Sequence, residues 1–278
     1  MNKKLIPILL SACTVGAFHL NAQTEMSTPT STSTTTTTTT LAPTPPPWAY
    51  SLTASYVSQY MFRGQRLGKD SAEGLFNATD GNWDLGVWAN NPIGPTQVPG
   101  QSEPQVNLFA SYKYALNDNW SIQPGGTVYT YVKAPTNLGF YHGTFEPNLA
   151  VNYTVGNLTL TPKVYYDVTL KGATYEGDAV YSIPFKDWGT ALNFNGTVGS
   201  YYLYDVSNHA LRNTRGYGDY WLLGVSAPYQ LTKDVKLTVG YAYTEGYDAY
   251  IKRAGVAKVK NGEAQGKPVY SVSLTYAW

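Results

Sequence analysis

The stretch from Pro268 to Trp278 reads PVYSVSLTYAW, and it alternates almost without fault up to a final indole. Pro268, Tyr270, Val272, Leu274, Tyr276 and Trp278 fall on one parity. Lys267, Ser271, Ser273, Thr275 and Ala277 fall on the other, with Val269 as the large apolar exception. Successive side chains of a β-strand point to opposite faces, so period two defines a strand with one apolar and one polar side. An ordered apolar strand at a chain end needs cover that offsets the entropy of fixing it. What covers it has to be found in the rest of the chain.

The same alternation recurs through Trp48–Trp278. In WAYSLTASYVSQYMFRG, the residues Trp48, Tyr50, Leu52, Ala54, Tyr56, Tyr60 and Phe62 oppose Ser51, Thr53, Ser55, Gln59 and Arg63. Four further clear cases run at Val106–Leu116, Phe145–Val155, Leu158–Val168 and Val235–Tyr243. Weaker cases run at Ser71–Ala78, Trp83–Asn91, Trp120–Val132, Tyr175–Phe185, Trp188–Tyr204 and Tyr217–Leu231. The total is about twelve strands, an even number as closed bacterial outer-membrane barrels require.

The connections sort themselves by length. TDGN (Thr79–Asn82), NDN (Asn117–Asn119), GN (Gly156, Asn157), KD (Lys186, Asp187) and TKD (Thr232–Asp234) are tight turns after even-numbered strands. Most connections after odd-numbered strands are longer: they begin at Gly64, Pro92, Lys133, Val206 and Glu245, and KGAT at Lys171–Thr174 is the short exception. A soluble sandwich has no reason to alternate in this way. An up-and-down barrel inserted from one side does, with short periplasmic turns and long external loops.

Composition agrees. The chain holds 25 Tyr and 7 Trp with only 13% charged residues, about half the usual charged share. No apolar run in the domain is long enough for a transmembrane helix. The expected fold is all-β: a transmembrane antiparallel up-and-down β-barrel of about 12 strands. Outer-membrane lipid then covers the terminal strand. Trp278 and Tyr276 anchor it at the periplasmic interface, and it closes the barrel against the Trp48 strand. A terminal aromatic after an alternating strand also resembles the signal read by the barrel assembly machinery, which is therefore an expected partner.

The first residues, MNKKLIPILLSACTVGAFHLNA, follow a secretory signal pattern with Lys3 and Lys4 ahead of an apolar run. Cleavage after Ala22 is the expectation. LSAC at Leu10–Cys13 resembles a lipoprotein box and offers the alternative, acylation of Cys13. Residues 23–47 are a Thr/Ser/Pro-rich segment with little to bury, expected as a disordered linker, and 48–278 is the barrel. Cys13 is the single cysteine, so no intramolecular disulfide can form. Without Lys3 and Lys4 the 19 basic side chains fall to 17 against 18 acidic ones, which leaves no nucleic-acid footprint.

YVSQYMFRGQ (Tyr56–Gln65), LGVWANN (Leu85–Asn91) and VNLFASYKY (Val106–Tyr114) resemble the TorF-type porin-like family of Gram-negative bacteria. The resemblance implies an outer-membrane barrel that opens with an aromatic-rich strand ending in Phe-Arg-Gly. It implies no catalytic residues.

Motifs of catalysis, metal binding or cofactor binding are thin. There is no G-x-S-x-G, and GEAQGKP at Gly262–Pro268 is one residue short of a P-loop. His142 and His209 both fall in external connections. The informative surface is the polar strand face, which should line a lumen. Its candidate lining charges are Arg63, Lys113, Lys163, Lys236 and Lys267 against Glu73, Asp84, Glu146, Asp167, Glu176, Asp178 and Asp205. Such charges either select solutes by their field or pair into a network that fills a narrow barrel. Trp88, Phe109, Tyr129, Tyr131, Tyr165, Tyr201 and Tyr220 share the inward parity and could stack sugars. The basic loop Glu245–Gly266 is expected to fold inward as the constriction. The function expected is a porin-like channel for passive diffusion of small hydrophilic solutes. The alternative is a non-conducting structural or adhesive barrel that displays its loops. Oligomeric state is left open.

Overall fold

Alternating sequences with tight Asx and Gly turns between them make neighbouring antiparallel strands, and a closed ring leaves no edge for lipid to strip. The computed structural model describes residues 48–93, 104–134, 142–169, 171–205, 214–252, 259–260 and 266–278. The strands are β1 (Ala49–Val57), β2 (Tyr60–Phe62), β3 (Gln65–Gly68), β4 (Ser71–Thr79), β5 (Trp83–Pro92) and β6 (Gln105–Tyr112). A short β7 (Tyr114–Ala115) is followed by β8 (Trp120–Tyr131), β9 (Gly143–Val155), β10 (Leu158–Asp167) and β11 (Gly172–Phe185). The rest are β12 (Thr190–Asp205), β13 (Thr214–Gln230), β14 (Val235–Lys252), β15 (Val259–Lys260) and β16 (Lys267–Ala277).

Each long strand pairs antiparallel with its sequence neighbours. The ring closes where β16 lies between β14 and β1 and where β13 meets β14. The result is a closed barrel of 12 strands, as the alternation predicts. Along the seam Leu52 faces Tyr276 and Ala54 faces Leu274. The outward parity is apolar and open, with Leu52 53% exposed, Leu108 51% and Leu274 47%. An apolar belt that circles the molecule is the surface hydrocarbon covers. Strands of nine or ten residues such as β1, β4 and β5 have the length a tilted strand needs to cross it.

The tight turns gather at one end, the periplasmic one. Asp80 accepts the Asn82 and Trp83 amides on Oδ1, and Asn117 accepts those of Asn119 and Trp120. These side-chain turns explain why Asp and Asn occupy those positions. They leave Trp83, Trp120, Trp188 and Trp278 exposed around this end, at the depth where an indole suits both hydrocarbon and headgroup. Trp278 stacks on Tyr50 and Tyr276 at 5.9 and 5.3 Å and leans on Phe76 at 6.5 Å. It also exchanges two backbone hydrogen bonds with Tyr50. The terminal indole therefore holds the seam. Changing Trp278 to Asp should lower the heat-modifiable folded band in outer-membrane fractions by roughly half, whereas an unchanged band would remove the seam role.

Two expectations are corrected. The first strand does not run to Phe62 with an external loop from Gly64. β1 stops at Val57, and β2 and β3 form a separate two-stranded hairpin. The alternation already falters there, because Val57 and Met61 sit on the polar parity and Ser58 on the apolar one. The second correction concerns Glu245–Gly266. β14 continues to Lys252 in register with β13, so the first eight residues assigned to that loop are wall, and β15 pairs with Tyr250 and Ile251. Residues 253–258 and 261–265 lie outside the described residues, so the inward loop cannot be followed there. The same holds for 94–103, 135–141, 206–213 with His209, and the leader and linker, 1–47.

Candidate functional site

Arg63 and Gly64 form the two-residue turn of the β2–β3 hairpin with φ of 43° and 72°. Positive φ at both central positions is the type I′ geometry whose twist suits a tight hairpin. The hairpin points into the lumen. A Cβ on Gly64 would lie 2.6 Å from Tyr220 Cβ and 2.7 Å from Gly246 Cα, so the tip rests against the inner faces of β13 and β14. Only glycine fits this contact, on grounds of both space and φ.

From that tip the hairpin reaches most of the wall. Arg63 Nη2 and Nη1 donate to the two carboxylate oxygens of Glu146 at 2.9 and 3.2 Å. Its guanidinium lies 4.9 Å from the Phe62 ring centre and 5.0 Å from that of Tyr165. Tyr129 Oη donates to Glu146 as well, at 3.1 Å. Gln65 Nε2 donates to Tyr201 Oη at 2.7 Å, and Tyr60 Oη donates to Gln105 Oε1 at 3.0 Å. Tyr60 packs on Trp88 at 5.9 Å. With Phe62, Leu67, Tyr131 and Ala134 these residues form a buried cluster inside the barrel. A bidentate, desolvated Arg–carboxylate pair is geometrically strict, and removing one member strands the other charge at a cost of about 3–5 kcal/mol.

The inward aromatics assigned by parity, Trp88, Phe109, Tyr129, Tyr131, Tyr165, Tyr201 and Tyr220, all lie inside the wall. Several of them pack on the hairpin or bond its partners and do not line an open path. Arg63 is likewise in the lumen, but at the tip of an infolded hairpin and not on the wall strand to which alternation assigned it.

A second network lies on β10 and β11. Lys163 pairs with Asp178 at 2.5 Å and Glu176 at 3.6 Å. Tyr165 and Tyr220 donate to Glu176 at 3.0 and 2.6 Å, and Thr197 donates to Asp178. Asp167 is fully buried and accepts from the Thr144 hydroxyl and the Thr169 amide. Lys236 is half-buried on the inner parity of β14, while Lys113 sits exposed at the periplasmic mouth. His142 is exposed, with Nδ1 3.5 Å from the Tyr131 carbonyl.

Below the hairpin, toward the tight turns, the inner wall is small and polar. Ser51, Ser111, Gln123, Asn152 and Thr161 are half-buried there, joined by bonds such as Gln123 to Ser111 and Thr161 to Asn152. The lumen is thus a polar periplasmic vestibule beneath an occluded external half. Where Tyr60 meets the wall, both amide atoms of Asn90 and Asn107 Nδ2 are buried with no protein hydrogen-bond partner among the described residues. Each such group, if dry, costs about 1–3 kcal/mol.

A closed, apolar-outside, polar-inside antiparallel barrel of this size defines the class, a transmembrane barrel of the bacterial outer membrane with the architecture of porins. Solved structures of like shape include the NanC porin, 15% identical, over 82% of this chain and 98% of that chain with a TM-score of 0.47. An outer-membrane channel from Pseudomonas putida F1 is 12% identical over 83% and 95%, with a TM-score of 0.44. LpxR from Salmonella typhimurium is 10% identical over 81% and 99%, also at 0.44. No protein-family model and no curated protein sequence matches the chain.

Proposed function

We propose that the protein is a porin-like channel through which small hydrophilic solutes diffuse passively, narrowed by the Tyr60–Gly68 hairpin. The observation that carries this reading is the polar inner face, which continues from the periplasmic vestibule to the hairpin inside a wall whose outer face is apolar. A scaffold that only displayed loops would gain nothing from a hydrated vestibule and could fill its interior with apolar side chains. Lys163, Glu176, Asp178 and Lys236 supply the charged lining past which solutes move, and the Arg63–Glu146 pair ties the hairpin across the lumen. The TorF-type resemblance of the first third, and export by a leader cut after Ala22, belong to the same reading.

Planar-bilayer recording of purified, heat-modifiable protein tests it. Discrete conductance steps in salt are the expected result. A folded barrel that passes no current, with the hairpin present and with it removed, would mean that the display reading is correct.

A further inference from the structure

We infer that the Tyr60–Gly68 hairpin is a gate: the barrel conducts when the hairpin swings out of the lumen about Ser58–Gln59 and Lys69–Asp70, and it is shut when Arg63 is latched on Glu146. This rests on the channel reading above and adds to it a second state of the same barrel.

Four observations carry it. First, β2 and β3 pair with each other in a sheet separate from the barrel, so withdrawing them breaks no rung of the wall. Second, the two ends of the segment are tied to the rim, which gives the swing its pivots. Ser58 donates its amide to Tyr270 O and accepts the Tyr270 amide on Oγ, while Asp70 O accepts the Ile93 amide and its carboxylate accepts Tyr56 Oη. Third, the polar ties from the hairpin to the far wall include side-chain bonds that water can replace, the Arg63–Glu146 pair, Gln65 to Tyr201 and Tyr60 to Gln105, while the apolar packing of Phe62 and Leu67 is what the latch must hold in place. Fourth, the latch itself is costly to hold: Arg63 and Glu146 are both buried as a charged pair, and opening returns both charges to water, which offsets part of the attraction lost.

A fixed plug would be built differently. It would be laddered into the wall, whereas β2 and β3 form a two-stranded sheet of their own. Here the cost of desolvation and the gain of the latch oppose each other, which is the condition for two populated states. Glu146 is the wall half of the latch, and Gly64 allows the tip to dock.

The test is a tether across the lumen. Gln65→Cys is combined with Tyr201→Cys, whose parent side chains meet at 2.7 Å, and the pair is bridged by a short bis-maleimide in the full barrel. Bridged protein should lose its conductance steps, while unbridged protein of the same variant keeps them. Glu146→Gln, which retains the side-chain size but not the charge, should raise open probability by at least roughly tenfold. Bridged barrels that conduct like unbridged ones overturn the gate, because solutes then pass without hairpin motion. Failure of the two cysteines to react at all also overturns it, since a hairpin that opens must expose them. If the double variant does not fold, an unchanged open probability in Glu146→Gln is decisive against the latch. Conducting protein that fails these tests leaves the channel reading intact. Silence from a barrel lacking the hairpin removes the channel reading and the gate with it.

Discussion

Replacing Tyr60–Gly68 with a short Gly-Ser turn raises open probability by about an order of magnitude at an unchanged step size, because the buried cluster that shuts the external half of a narrow barrel is gone. The wall itself should survive, since the hairpin contributes no pairing to it. Gly64→Val should act in the same direction. Its side chain has no space against Tyr220 and Gly246, and its backbone resists the positive φ, so the tip cannot dock. An open probability no higher than the parent's in both variants would show that the path avoids the hairpin.

Val272→Arg and Ser273→Arg differ by one position in the centre of β16 and should differ sharply in outcome. Val272 is 47% exposed on the outward parity, where an arginine at mid-membrane costs about 2–4 kcal/mol. Ser273 points inward opposite Ser55 and Thr238, among side chains small enough to leave an arginine in the hydrated vestibule. Heat-modifiable barrel should fall several-fold for Val272→Arg and stay near the parent level for Ser273→Arg. Equal loss in both would mean that the two faces of the strand are not lipid and lumen as assigned.

The legible part of this molecule is the wall. Period-two alternation needs only the identity of each residue and its neighbours, and the lipid enforces it, because a one-residue slip puts every polar side chain into hydrocarbon. Asp80 and Asn117 act through side-chain oxygens on amides two and three residues on, and Gly156 through its positive φ, so these turn residues mark the periplasmic end locally. The lumen-facing charges Glu146, Lys163, Asp167, Glu176 and Asp178 could be assigned to a face by the same rule, as could the aromatics Trp88 through Tyr220.

The hairpin was partly legible and was obscured by its own composition. Tyr60 and Phe62 carry on the aromatic alternation of β1, so they extend the strand pattern even though they face the wall from within. The local signals against a continuous strand were Val57, Ser58 and Met61, and an Arg-Gly pair flanked by two short β-prone runs. Those signals announce a turn but not its direction.

Strand number, faces and the sorting of the connections follow from short-range pattern, and the sequence by itself determined them. Which segment fills the lumen depended on the tertiary structure alone. The basic loop at Glu245–Gly266 was the better choice by length and charge. Residues 253–258 and 261–265 of that loop lie outside the described ones; among the described residues Tyr60–Gly68 enters the lumen, because Gly64 can approach Tyr220 and Gly246, and because closure of the ring brings Glu146 and Tyr201, 83 and 136 residues away from their partners Arg63 and Gln65, within reach of one hairpin. Pairing between residues so far apart in the chain leaves no periodic trace, since it is set by ring curvature and strand stagger, not by the spacing of neighbours.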